Sequence, residues 1–399
     1  MTGFEKRIVG VTMTCHALAH FFEQTFPPVL KLVDEEYALG LAAAGGVGNI
    51  FPLFFGLGAL PAGIIVDRWG ARRTLLIFLL ACGAAAVAVP AVQDIRILAV
   101  LLAVMGIAAG LYHPAGVTLI SHNVRQVGTS LGLHGMGGNL GLAIWPILAA
   151  TVATTFGWRA AYAVLGAPAF ILAAYFILND KGSGRIDEAP ESQTVQPDNK
   201  INKVKQITQW YPLTMLFALG VLNGFCYRGM LTFFPTFFSG ASTAEAAILK
   251  GGMLTTAVLL IGAFSQYVGG RLADRFRAEI IYALSFTISA PLLFILGMLS
   301  LNQAVVIAAL FALLYFGSQP AGNTLVVRFS SDSFRGRAYG IFFFMNFGIG
   351  SFSATVSGWI GERYGLEAIF PFLGALLAGV SIIAWLLVVA MRRKERSLT

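Results

Sequence analysis

The chain has 399 residues, 57% of them hydrophobic and only 12% charged, with a net charge of +8. A water-soluble domain carries about 25% charged residues, so this composition excludes a globular protein of the aqueous phase. The three cysteines, Cys15, Cys82 and Cys226, lie singly inside apolar runs and imply neither a disulfide framework nor a metal motif.

A hydrocarbon core about 30 Å thick needs roughly 20 apolar residues per helical crossing. Twelve such runs are predicted. They lie at about 8–30, 40–66, 74–92, 96–121, 129–153 and 158–178 in the first half, and at about 211–238, 247–272, 279–299, 303–327, 337–360 and 367–390 in the second. The first run is too long for a cleaved secretion signal and lacks a small-residue cleavage site. Lipid offers the backbone no hydrogen-bond partner, so each run is expected to be a helix. The 45 glycines suit close packing of such helices. Residues 179–209 are polar and poor in aromatics. They are expected to be a flexible linker with a short surface helix near Lys203 to Gln209, between bundles at 1–178 and 210–399.

The two halves repeat each other. Gly63-Ile64-Ile65-Val66-Asp67-Arg68 returns as Gly270-Arg271-Leu272-Ala273-Asp274-Arg275, an offset of 207, and His113-Pro114-Ala115-Gly116 returns as Gln319-Pro320-Ala321-Gly322, an offset of 206. Parallel copies in a very apolar chain are a transporter architecture, with the site between them. With the amino terminus in the cytoplasm, 21 of the 27 Lys and Arg residues fall on the cytoplasmic side, five fall outside, and Arg228 lies within a span. That asymmetry places both termini in the cytoplasm and accounts for the basic charge without nucleic acid.

The pattern Gly63-x3-Asp67-Arg68-x-Gly70-x-Arg72-Arg73, between the second and third runs, resembles the loop motif of the major facilitator superfamily. Gly270, Asp274 and Arg275 repeat it in shorter form between the eighth and ninth runs. The resemblance covers the whole chain. It implies an all-α membrane protein of twelve transmembrane helices, in two six-helix bundles related by a pseudo-twofold axis along the membrane normal. It also implies that Asp67 helps to latch the cytoplasmic side, here against the start of the eleventh helix near Ser333 to Arg337. Gly63 is expected to let two helices touch, and Arg68, Arg72 and Arg73 to act in the latch or as orientation charges. In the fifth run, Gly132-x8-Gly141-x3-Trp145-Pro146-x2-Ala149-Ala150 looks like the antiporter motif of drug exporters, with three glycines replaced. The stretches from Gly110 to Gly116 and from Gly137 to Gly141 resemble the fosmidomycin resistance branch, which implies export of small polar or anionic drugs.

Ionisable residues at mid-membrane cost roughly 2.5–3.5 kcal/mol on insertion scales, so each needs a reason. His16, His20 and Glu23 share one face of the first helix, with Gln24 beside them. The seventh helix carries Asn223, Tyr227 and Arg228, and the repeat offset of 208 sets Arg228 opposite His20. The resemblance makes the first, fourth, seventh and tenth helices line a central cavity, which adds Tyr112, His113, Gln319 and Asn323. Asn139, His134 and Asn346 come from the fifth and eleventh. Phe22, Phe225, Tyr315 and Trp145 would supply apolar walls. Glu23 is the expected proton carrier, and Arg228, which keeps its charge, is expected to hold an anion or Glu23 itself. His20 and His113 would relay protons or bind an anion. His16 reads as a helix-to-helix tie, and His134 stays open between the two roles. A metal site of His16, His20 and Glu23 is geometrically feasible, but nothing else has metal spacing, so no metal is assigned.

No Gly-x4-Gly-Lys-Ser/Thr nucleotide loop is present, so the proton gradient is the expected energy source. The leading reading is a monomeric, multi-pass transporter of the inner membrane, coupled to protons and free of cofactors. It would move a small polar or anionic organic molecule as an efflux antiporter. The alternative is a symporter importing an organic anion. A membrane-embedded enzyme or sensor is the remote third, because Cys15 and His16, its sole hint, point to different helix faces.

Overall fold

The computed structural model describes residues 1–125, 127–178, 208–240, 244–331 and 334–396. The expected linker lies outside the described residues, apart from Thr208 and Gln209. These two are not helical, and the Gln209 N–H donates to the Phe329 carbonyl at 2.8 Å.

The chain starts with α1 (Gly3–Gln24), opened by a capping box in which Thr2 and Glu5 satisfy each other's backbone N–H groups. It breaks at Thr25, because Pro27 and Pro28 carry no N–H to bond back into α1, and continues as α2 (Phe26–Tyr37). Next come α3 (Leu41–Trp69) and α4 (Ala71–Ala88), hinged at Gly70. Gly70 has φ of 82°, a left-handed value that favours glycine, so this motif residue makes the turn. The fourth span is two helices, α5 (Ile95–Gly110) and α6 (Tyr112–Asn123), because the Pro114 ring cannot tolerate the carbonyl of Gly110. Then come α7 (Val127–Phe156), α8 (Trp158–Ala163) and α9 (Gly166–Leu178).

The second half repeats the plan with α10 (Trp210–Ser239), α11 (Ala244–Arg275) and α12 (Ala278–Ile295). The tenth span again breaks before a proline, Pro320, into α13 (Leu301–Gly317) and α14 (Gln319–Phe329). The eleventh is not the plain helix expected from 337 to 360. It runs as α15 (Arg335–Phe343), a π turn (Phe344–Ile349), a 3₁₀ turn (Gly350–Phe352) and α16 (Ser353–Tyr364). The irregular turns lie where backbones crowd. A Cβ on Gly350 would come within 2.5 Å of the Gly224 carbonyl carbon of α10, and one on Gly56 of α3 within 2.5 Å of the Gly348 nitrogen. The chain closes with α17 (Ile369–Arg396). Eleven described helices are long and apolar enough to cross a membrane, and α1–α2, whose His, Glu and Gln lower its hydropathy, makes the twelfth.

Within the halves, α1 packs on α7, α3 on α5 and α12 on α17. Across the seam, α3 meets α16, α7 meets α11 and α2 meets α10. These seam contacts are tight at the end away from the termini. A Cβ on Gly45 would strike the Ala354 carbonyl, one on Gly358 the Leu41 carbonyl, and one on Gly252 would come within 2.8 Å of the Pro146 carbonyl. They loosen toward the termini. A Cβ on Gly340 has its nearest neighbour, the Ala59 carbonyl, at 3.8 Å, and Gly63, Gly132 and Gly135 have nothing within 4 Å. The halves therefore form a crevice that is sealed at one end and parted at the end bearing the termini. Gly63 is exposed there, and a Cβ added to it would meet nothing within 4 Å, so no close helix approach is seen on that side of it.

Candidate functional site

The crevice holds a cavity of about 300 Å³ at mid-depth. The breaks before Pro114 and Pro320 set its level. Each ends a helix at the cavity wall and turns the next residues, His113 and Gln319, into it. The first half contributes His16, His20, His113, His134 and Asn139. The second contributes Asn223, Tyr227, Gln266, Gln319, Asn323 and Asn346, with Tyr282 and Tyr315. Of the expected site residues, His20, His113, Asn139, Asn223, Tyr227, Gln319, Asn323 and Asn346 therefore line the cavity.

Glu23, Gln24, Tyr112 and Arg228 do not. Glu23 and Arg228 are 3% and 2% exposed, and they sit on the sealed side of the cavity. Arg228 Nη1 lies 3.4 Å from Glu23 Oε1, and its Nη2 donates to the Gly48 carbonyl at 3.2 Å, so α10 of one half grips α1 and α3 of the other. His20 links this pair to the cavity, because its Nδ1 lies 2.7 Å from Glu23 Oε2. A continuous chain of polar contacts thus runs from the cavity through His20 and Glu23 to Arg228. Gln24 is buried beside it, with its Nε2 unpartnered among the described residues.

Tyr112 stands behind the histidines, where its hydroxyl donates to the Thr12 carbonyl at 2.6 Å and meets His134 Nδ1 at 3.3 Å. Trp145 and Phe22, expected in the wall, are buried behind it. Trp145 donates to Thr25 Oγ1 at 2.8 Å and stacks on Phe21, while Phe22 packs on Phe78. Phe225 turns to Phe372. Tyr315 does line the cavity, and its hydroxyl donates to the Asn223 carbonyl at 3.0 Å.

Across the cavity Asn139 donates to Gln266 Oε1 at 2.6 Å, and Gln266 donates to Gln319 Oε1 at 2.8 Å, so three amides bridge the seam. Sequence reasoning missed Gln266. Its signal was available, since a glutamine within the apolar run of α11 needs a partner as a buried ionisable group does. His16 and His134, read apart in the sequence, stack with ring centroids 4.4 Å apart.

The loop-motif residues divide. Asp67, Arg68 and Arg73 are exposed, and Asp67 bonds to no described residue. Much of its expected partner, around Ser333 to Arg337, falls outside the described residues, as does the Asp274 side chain; Arg275 is exposed. Gly270 has only Pro320 Cβ near an added Cβ, at 3.9 Å. Arg72 is no loose orientation charge. It is buried, and its Nη2 donates to the Phe176 carbonyl, tying α4 to the end of α9. At the matching place in the second half Glu279 is buried, and it accepts from Arg277 at 2.6 Å and Arg328 at 3.1 Å.

The sequence model of the Major Facilitator Superfamily matches residues 12–251 and 240–399. The chain belongs to this superfamily. It is a multi-pass membrane transporter. The probable sulfoacetate transporter SauU of Cupriavidus necator is 26% identical to it, covering 96% of this chain and 93% of that protein. The fosmidomycin resistance protein of Escherichia coli is 21% identical over 92% and 91% of the two chains. Further relatives are named as transporters of 4-hydroxybenzoate, gallate and D-galactonate. Among solved structures, a bacterial homologue of the human lysosomal transporter Spinster superposes with a TM-score of 0.76 at 15% identity, covering 97% of each chain. The twelve-span fold expected from the loop motif is thus the fold of the family.

Proposed function

We propose that this transporter moves a small organic anion, a carboxylate or sulfonate, together with protons, by rocking its two halves about the cavity. The observation that carries the reading is the buried pair of Glu23 and Arg228, which bridges the halves and is tied to the cavity by His20. Arg228 cannot give up its charge, so it parts from Glu23 at low cost only when Glu23 gains a proton or an anion replaces it. That exchange links substrate, proton and the sealed end. The relatives named for sulfoacetate, 4-hydroxybenzoate and gallate support an anionic cargo.

For an anion that is taken up, charge bears on the coupling. Bringing one negative charge inward against about 100 mV costs roughly 2.3 kcal/mol, so uptake of an anion needs accompanying protons. Symport is therefore the reading adopted, with the transporter in the inner membrane, both termini cytoplasmic and the open end of the crevice facing the cytoplasm. Efflux by antiport is the second reading, favoured by the resemblance to the fosmidomycin resistance protein. It suits a cargo whose own charge does not already drive it out.

The test is uptake of labelled sulfoacetate and 4-hydroxybenzoate into proteoliposomes with an imposed pH gradient. The expected result is accumulation driven by an acidic exterior, abolished by a protonophore. Glu23→Gln should still exchange substrate but no longer concentrate it. Accumulation that ignores the pH gradient would remove proton coupling, and drive in the opposite sense would establish antiport.

A further inference from the structure

Four of the chain's five histidines gather on the first-half wall of the cavity. The ring centroid of His16 lies 5.0 Å from that of His20 and 4.9 Å from that of His113. Their hydrogen bonds decide which nitrogens are free. His16 Nδ1 is 2.8 Å from the His134 carbonyl, which can only accept, so Nδ1 carries the proton and Nε2 the lone pair. That Nε2 is buried and has no hydrogen-bond partner among the described residues, on a residue only 8% exposed. A buried polar atom without a partner calls for an explanation. His20 has the same form. Its Nδ1 faces the Glu23 carboxylate, itself held by Arg228, and its Nε2 bonds to no described residue. An imidazole that donates Nδ1–H to a carboxylate or carbonyl is the arrangement that orients metal-ligating histidines. His113, on the α6 side of the Pro114 break, supplies a third nitrogen, and one ligand atom from each of the three lies within 4.8 Å of the others.

We propose that His16, His20 and His113 form a site for a divalent first-row transition cation of the zinc class, with the fourth coordination position open to the cavity. Metal–nitrogen bonds of about 2.0–2.1 Å in a tetrahedron set the nitrogens about 3.4 Å apart, closer than the 4.8 Å within which they now lie, so binding draws the three rings together. Three neutral imidazoles select against magnesium and calcium, which take oxygen ligands. His134 is not a ligand here. Its carbonyl fixes His16, and its ring stacks on it. The second half has no such site, since Gln319 and Arg228 stand at the repeat positions of His113 and His20. A bound cation would place positive charge on the cavity wall and offer an oxyanion a coordination position. That consequence rests on the anion reading; the binding of metal does not.

The experiment titrates the full-length, tag-free protein in detergent with cobalt(II) alone, without transport substrate. The expected result is one equivalent bound with the visible absorption of tetrahedral cobalt, displaced by zinc. X-ray absorption of the zinc form should show three imidazole nitrogens at about 2.0–2.1 Å. His113→Gln, which installs the residue of the other repeat, should weaken binding at least tenfold while leaving the melting temperature of the metal-free protein unchanged. His122→Ala, on an exposed turn of the same helix, should change nothing. If His113→Gln does not fold, His20→Gln serves in its place. Absence of stoichiometric cobalt binding, binding that His113→Gln leaves unweakened, or binding that disappears with His122→Ala, overturns the proposal. Because no substrate is present, failure here leaves the transport reading untouched, and failure of anion transport leaves this site standing.

Discussion

The two walls of the cavity descend from one repeated unit and differ in chemistry. At matched repeat positions His113 corresponds to Gln319, His20 to Arg228, and Asn139 to Asn346, at offsets of 206 to 208. The repeat therefore fixes where a polar group stands, while divergence of the copies fixes what it does there. The first half presents imidazoles, backed by the buried Glu23 carboxylate, groups that exist in more than one protonation form and can ligate a metal. The second presents amides and phenols, with one permanent cation, Arg228, buried on the sealed side of the cavity, and these hold a fixed pattern of donors and charge. On the proposed reading, the first wall changes state and the second does not.

The strongest way to break this contrast is to delete the permanent cation. Arg228→Ala leaves Glu23 buried with His20 as its remaining partner, and stranding one member of a buried pair costs about 3–5 kcal/mol. A marked fall in melting temperature in detergent is expected, together with loss of uptake. The double variant Glu23→Gln, Arg228→Gln should regain most of the melting temperature and none of the coupled transport. An Arg228→Ala protein that melts like wild type would show that the pair bears no structural load.

A second test asks whether the walls must close on each other at the sealed end. Gly45→Ala places a methyl against the Ala354 carbonyl across the seam, and Gly63→Ala places one in open space. The first should slow transport about tenfold or more, since packed seams do not yield to small shifts. The second should retain uptake while the termini-bearing end stands open. Equal rates for both variants would mean that the sealed end is not a closed gate.

The loop motif and the twelve spans were legible in the sequence, because each depends on local pattern; the repeat offset set Arg228 opposite His20 and left Glu23 as one of two partners for it. The histidine cluster was not legible. His16, His20, His113 and His134 come from α1, α6 and α7, and only packing of those helices shows that their faces converge. The buried role of Arg72 was hidden for the same reason, since its partner is a backbone carbonyl 104 residues away, which no side-chain pattern announces. The π turn of the eleventh span lies where glycines of α3 and α10 pack close against its backbone, a tertiary setting with no periodicity of its own.

The amide bridge offers a sharper and milder probe. Gln266→Leu removes the link from Asn139 to Gln319 and leaves each amide free to turn to the cavity. A hydrogen bond of this kind contributes about 1 kcal/mol, so stability should change little. The expected effect is a several-fold change in KM with kcat nearly constant, measured as initial uptake rate against substrate concentration. A change confined to kcat would assign the bridge to the rocking step rather than to the substrate.

The smallest effect is expected where the halves differ without touching the cavity. At the sealed end of the first half, Arg159 grips Glu36 with both terminal nitrogens, at 2.8 and 2.5 Å, and Trp158 donates to the same carboxylate at 2.7 Å. The second half has no counterpart, because Ala244 and Glu367 occupy the repeat positions at the offset of 208. The hydrogen bonds from Arg159 hold the Glu36 carboxyl below the usual carboxylate range. Its folded value thus lies under its unfolded one of about 4.3, so the stabilisation is complete above that value and is lost as pH falls through the folded value. The carboxylate is 39% exposed, and solvent screening limits the contribution to about 0.5 kcal/mol. Glu36→Gln should therefore lower the melting temperature by about 1 °C at neutral pH and by nothing once the wild-type carboxyl is protonated in acid. A difference that persists unchanged into acid would show that the side chain acts there by shape, and that the clasp on the first half owes nothing to its charge.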